Sequence, residues 1–174
     1  MAEPTPPSPT APAPAEIRSL LMRANRLLGA SLVEANLVSV DQLENANEKL
    51  LELIADGTPR QCTLLGVLAY DLKAVKEEDV LQHCVDEHGI GLIDLHAYEG
   101  SEEVRVGLNH AACWATWTLP FDRDEDFVLV ATAYYLSPAV RTFWEKQLGG
   151  QIIWYGATLE TISDALERLS APKS

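Results

Sequence analysis

The sequence predicts an α+β fold: a lobe of paired helical hairpins, then a small sheet covered by helices on one face, in the order β-α-β-β-α-β-α. Three observations predict it. Apolar residues recur at helical spacing from Glu16 to about Glu87. After Gly89 the pattern changes to short β-rich runs, "IGLIDL", "TWTLPF", "FVLVATAYY" and "QIIWYG". Within the helical part, "LLGASLVEANLVSVDQL" (27–43) is echoed by "LLGVLAYDLKAVKEEDV" (64–80), an offset of 37 residues that suits a helical-hairpin unit.

The elements follow in order. Residues 1–15 hold six of the ten prolines, which fix φ and lack an N–H, so a disordered Pro-rich tail is expected there. From Glu16, the stripe Ile17, Leu20, Leu21, Ala24, Leu27, Leu28 predicts a helix; Gly29 is expected to interrupt it and Asn36 to end its continuation in the left-handed conformation. Ser39 and Gln42 form a capping-box pattern for a helix through Ile54, stopped by Asp56-Gly57-Thr58-Pro59. The second unit repeats the plan with helices over about 62–72 and 77–87, a turn at Lys73-Ala74 and a stop at Gly89.

A strand over 90–95, a helix over 102–112 with Val104, Leu108 and Ala111 inside, and strands over 116–121 and 127–135 are predicted next. An acidic turn, "DRDED" (122–126), joins the last two, and Trp117 and Phe121 are expected on one strand face with Thr118 and Pro120 on the other. Ser137-Pro138 opens a helix that ends at Gly149-Gly150. A strand over 151–156 and a helix capped by Thr158 complete the chain. The expected organisation is a tail over 1–15, a hairpin-repeat lobe over 16–88, an α/β lobe over 89–170 and a disordered end over 171–174.

Composition restricts the function. A net charge of −13 and only 13 Lys and Arg argue against nucleic acid and anionic membrane as main partners. No run approaches the ~18 apolar residues of a membrane helix, so direct membrane insertion is not expected. Three widely spaced cysteines and no export signal point to reduced thiols and a cytoplasmic location.

Signals for chemistry are sparse. No Walker A, G-x-S-x-G or H-E-x-x-H pattern occurs. His83, Cys84, Asp86 and His88 stand together, with Cys84 and His88 four apart on one helix face. A closed metal site would need Cys62 and Cys113 as well, and Cys84 falls on the apolar stripe where a buried thiol is ordinary, so neither a metal nor a catalytic cysteine is expected. Trp114, Trp117, Trp154, Tyr134, Tyr135 and Tyr155 form an aromatic set, read as sheet packing or as a patch for a protein partner.

Taken together, the two Leu-Leu-Gly units, "GIGLIDLHAYE", "TLPF", "FVLVATAYYLSPAV" and "TLETISDALERL" resemble the amino-terminal domain of the assembly ATPases of type II secretion and type IV pilus systems, the GspE and MshE amino-terminal family. The resemblance covers about residues 20–170. It implies a domain that docks a motor on a membrane platform protein and, in one branch, binds cyclic di-GMP through two motifs beginning Arg-Leu-Gly. On this chain the Leu-Gly pairs are Leu28-Gly29 and Leu65-Gly66. The Arg positions hold Leu27 and Leu64, the second Gly positions hold Asn36 and Lys73, and the closing Gln positions hold Leu50 and Glu87. Those eight motif residues, Leu27, Leu28, Gly29, Asn36, Leu64, Leu65, Gly66 and Lys73, are the candidate dinucleotide contacts.

Loss of both arginines should cost an anionic ligand about 1.5–3 kcal/mol for each charged hydrogen bond. Arg26 is one place early, about 100° round a helix, and Arg60 follows Pro59. The family continues into ATPase domains beyond the equivalent of Ser174, so a stand-alone relative is expected. The expected function is a non-enzymatic, cytoplasmic interaction or regulatory domain with a protein partner in a membrane-associated secretion or pilus complex. The alternative is a cyclic di-GMP sensor with a degenerate two-copy motif. Oligomeric state is left open.

Overall fold

A computed structural model describes residues 13–55, 63–97, 108–149 and 151–170. Helix α1 (Pro14–Glu34) runs through Gly29 without a break and starts two residues ahead of Glu16, because proline suits a first helical turn where no N–H is needed. Asn36 (φ 60°) turns the chain in the left-handed region. Helix α2 (Val40–Ala55) is opened by the expected box: Gln42 N donates to Ser39 Oγ at 3.1 Å, and Ser39 N donates to Gln42 Oε1 at 2.9 Å.

The second unit departs from its forecast. Instead of one regular helix over 62–72, a single turn, α3 (Leu64–Gly66), runs into a π-helical turn at Val67–Asp71. Leu72 N donates to Val67 O at 2.9 Å, the i→i−5 bond of a widened turn. Lys73 (φ 51°) then mirrors Asn36, and α4 (Glu77–His88) ends at left-handed Gly89.

The predicted strand over 90–95 shrinks to β1 (Gly91–Leu92), followed by a 3₁₀ turn at Leu95–Ala97. Residues 98–107, which hold most of the helix forecast over 102–112, lie outside the described residues; its described end falls in α5 (His110–Thr116), where Asn109 Oδ1 accepts from Ala112 N at 3.1 Å as the cap. Its buried face is Ala112, Cys113 and Trp114, while Ala111 is exposed. Trp117 is not in a strand at all; it closes α5 with a left-handed φ of 49°. Strands β2 (Thr118–Asp124) and β3 (Phe127–Thr132) pair antiparallel, so the turn is confined to Glu125-Asp126 and the register shifts between Pro120 and Asp122. Helix α6 (Pro138–Leu148) ends at left-handed Gly149; β4 (Gln151–Gly156) and α7 (Leu159–Ser170) follow, with Thr158 Oγ1 accepting from Thr161 N. The tail over 1–12, the 56–62 breaker with Arg60 and Cys62, Val104, Gly150 and 171–174 lie outside the described residues.

The result is α+β. Among the described residues four strands lie in the order β1-β4-β3-β2, with β1 and β3 parallel to β4. Helix α1 packs against α5 and α6. One buried apolar cluster therefore runs from Leu21, Leu28 and Leu32 through Leu64 and Leu68 to Tyr134, Trp144 and Ile162. The two Leu-Leu-Gly units and the sheet share this core.

Candidate functional site

The Leu-Leu-Gly units meet at the centre of the molecule. Leu28, Leu64 and Leu65 are buried, Leu27 is half-buried, and Asn36 and Lys73 lie exposed at the two left-handed turns. Gly29 holds the contact. A Cβ there would lie 2.6 Å from Leu43 Cδ1 and 3.0 Å from Leu64 Cδ2, so the missing side chain lets α1 approach α2 and α3. At Gly66 the close neighbour is local instead: a Cβ would lie 2.7 Å from Cγ2 of Thr63, the cap of the same turn, and at an ordinary 3.6 Å from Leu159 Cδ1. Leu28, Gly29 and Leu64 are thus brought together as packing, and Asn36 and Lys73 remain apart from them as turn residues.

A buried polar network lies beside these leucines. Asn25 Nδ2 donates to Leu21 O at 2.8 Å, and Asn25 Oδ1 accepts from Leu64 N at 2.9 Å and from the Tyr134 hydroxyl at 2.6 Å. Tyr134 and Thr63 Oγ1 are 2.6 Å apart, and Thr63 Oγ1 accepts from Gly66 N at 3.3 Å. The network satisfies the buried amides at the start of α3, which have no intrahelical partner, and ties both units to the chain after β3. It has one signal in the sequence: Asn25 is a polar residue on the stripe of Leu21, Leu28 and Leu32.

Outside that core, α1 and α2 border a cleft of about 470 Å³ lined by Met22, Arg23, Arg26, Asn47, Leu50 and Leu51, among others. Arg26, one place out of register with the motif, reaches the same cleft as Leu50, which occupies a closing Gln position. Leu27 is not part of its wall. Two guanidinium groups beside an apolar floor form a local basic pocket on an acidic protein.

The cysteine and histidine candidates do not converge. Cys84 is buried and burial pushes its thiol up to about 11. His83 and His88 stand edge to face with ring centres 6.1 Å apart, and His88 also meets Tyr135 with ring centres 5.3 Å apart. Among the described residues no three His, Cys, Asp or Glu side chains are placed to hold a metal. Of the aromatic set, Trp114, Trp117 and Tyr134 are buried, while Tyr135, Trp154 and Tyr155 are half-exposed.

Two further contacts escaped the sequence. His96 places Nδ1 2.9 Å from Asp94 Oδ1 and Nε2 2.8 Å from Asp164 Oδ2. Carboxylates only accept, so this geometry calls for the doubly protonated ring. The hydrogen bond to Asp164, then that to Asp94, raises the His96 pKa; the His96 backbone N–H lowers that of Asp94. Buried Glu77 accepts from Leu159 N at 2.8 Å at the start of α7 and from the Tyr70 hydroxyl, which this bond pushes up to about 12.

No known family profile matches the chain. It is 27% identical over 116 residues to the type IV pilus assembly ATPase PilB of Thermus thermophilus, a match covering 67% of this chain and 12% of that protein. MshE solved with cdg, cyclic di-GMP, superposes with a TM-score of 0.51 at 21% identity, covering 82% of this chain and 97% of that one. Two crystal forms of the amino-terminal domain of XpsE superpose with TM-scores of 0.53 and 0.52 at 17% identity. They cover 83% and 90% of this chain, and 94% and 97% of theirs. The chain has the fold of the GspE/MshE amino-terminal domain family, as its paired Leu-Leu-Gly units and element order indicated.

Proposed function

We propose that the chain is a non-enzymatic, cytoplasmic interaction or regulatory domain that docks on a bacterial secretion- or pilus-type machine. One observation carries the reading: sequence likeness to a pilus assembly ATPase coincides with a fold that spans nearly the whole of the XpsE amino-terminal domain. The test is cross-linked affinity capture of the full chain from its native host. Recovery of a secretion or pilus component above a tag-only control supports the reading; recovery of none contradicts it.

A second reading, a cyclic di-GMP sensor, is favoured by the α1/α2 cleft. Arg23 and Arg26 supply charge for phosphate and planes for stacking on a purine, and Met22, Leu50 and Leu51 supply an apolar floor. In this reading Arg26 takes over the work of the Arg missing at Leu27. The motif residues Leu27, Leu28, Gly29, Asn36, Leu64, Leu65, Gly66 and Lys73 line none of this cleft and, in this reading, serve as packing and turn residues rather than as ligand contacts. Calorimetry of the full chain with cyclic di-GMP tests it. Micromolar binding lost in Arg26→Ala supports this reading, and no measurable heat contradicts it.

A further inference from the structure

The two faces of the sheet are covered unequally. Register and alternation put Phe127, Leu129 and Ala131 of β3 on the same face as Gln151, Ile153 and Tyr155 of β4. On β2, Leu119 lies opposite Ala131 and Asp124 opposite Phe127 on that same face. One end of it is shut: Leu119 and Ala131 are buried, and Phe121 stands edge-on to Tyr155 with ring centres 5.7 Å apart. The other end is open, with Phe127 and Ile153 each 39% exposed, Leu129 half-buried beside Ile153, and Tyr155 half-buried at the boundary with the shut end. The opposite face has no such opening at β3, where Val128, Val130 and Thr132 are buried.

The rim of the open end is acidic. Asp124, Glu125 and Asp126 are exposed beside Phe127. Arg123, the cation of that hairpin tip, pairs with Val128 and so belongs to the other face. Strand addition is a poor use of the β2 edge, because Pro120 has no N–H to offer and the register shift beside it breaks the ladder. The other edge, β1, is two residues long. A second copy of this chain would bring another acidic rim and another −13 charge against the first.

We infer that the Phe127–Leu129–Ile153–Tyr155 face docks a basic amphipathic helix of a protein partner. Its apolar stripe covers the open aromatic and aliphatic strip, and its flanking Lys or Arg side chains meet Asp124, Glu125 and Asp126. The inference rests on the docking reading above and names the surface used.

The probe is an amphipathic Leu/Lys helical peptide, with a scrambled peptide of the same composition as control. It is titrated into the isotope-labelled full chain and followed by amide NMR. The inference expects shifts centred on Phe127, Leu129, Ile153 and Tyr155. It expects at least tenfold weaker binding in Phe127→Ser/Ile153→Ser, and a similar loss in Asp124→Asn/Glu125→Gln/Asp126→Asn that wild type reproduces at high salt. Equal binding of the scrambled peptide, shifts centred elsewhere, or a dimer formed through this face would overturn it. The same variants then enter the host capture. A machine component recovered equally with wild type and both variants rejects this face and leaves the docking reading standing; recovery with none of them rejects the docking reading itself.

Discussion

Asn25 and Tyr134 show how much of this molecule depends on a few polar atoms. The Asn25 side chain satisfies Leu64 N and Tyr134 at once, and the Tyr134 hydroxyl in turn meets Asn25, Thr63 and Leu65 N, so removal of either strands buried groups. Tyr134→Phe and Asn25→Leu should each cost about 1–3 kcal/mol, both read from urea unfolding. Gly29→Leu should cost about 1–3 kcal/mol by overpacking against Leu43 and Leu64; a loss near zero would mean that α1 and α2 separate freely. His96 gives a pH test. Its raised pKa means that its stabilising contacts are complete below the ordinary 6.5 and fade as pH rises through the raised value. Asp94 behaves oppositely: its contribution is complete above the ordinary 3.8 and fades as pH falls through its lowered value. The clamp is therefore whole between those two ordinary values. NMR titration should place His96 above 6.5, and Asp164→Asn should bring it down; a wild-type value at or below 6.5 would refute the bridged ring.

At the scale of elements, the two units are alike where backbone geometry demands it. Asn36 and Lys73 occupy equivalent positions and both take positive φ. A lysine bears the left-handed strain less well than asparagine, so Lys73→Gly should raise stability by about 0.5–1 kcal/mol, measured by thermal or urea unfolding, and Asn36→Gly should change it less. The equivalence was legible before the structure, since turn chemistry and caps act over a few residues; so were the Ser39 box and the glycine stops at Gly89 and Gly149. The π-turn at Val67–Asp71 was not, because its apolar residues read the same in an α-helix. Nor was the course of helix α5 through Thr116. Asn109 decided its start, and a short apolar run such as "AACWATW" has no period strong enough to fix helix against strand.

For the whole molecule, α1 packs on α5 and α6, so the hairpin units serve as one side of the core that also supports the sheet. Sequence alone revealed the repeat and the resemblance it carries but could not show how Leu28, Leu64 and Leu65 meet, since that depends on contacts with Leu43 and on the network around Tyr134, 109 residues from Asn25. The cleft at Arg26 was equally hidden, because it needs α2 laid beside α1. What remains outward is an open sheet face with an acidic rim on a domain whose fold is that of secretion and pilus ATPase amino-terminal domains. The most direct measurement is photo-cross-linking in the native host from a benzoyl-phenylalanine placed at exposed Ile153. The docking account predicts an adduct with a protein of a secretion or pilus machine, reduced when Asp124, Glu125 and Asp126 are neutralised. Cross-linking only between copies of this chain, or no adduct at all, would contradict it.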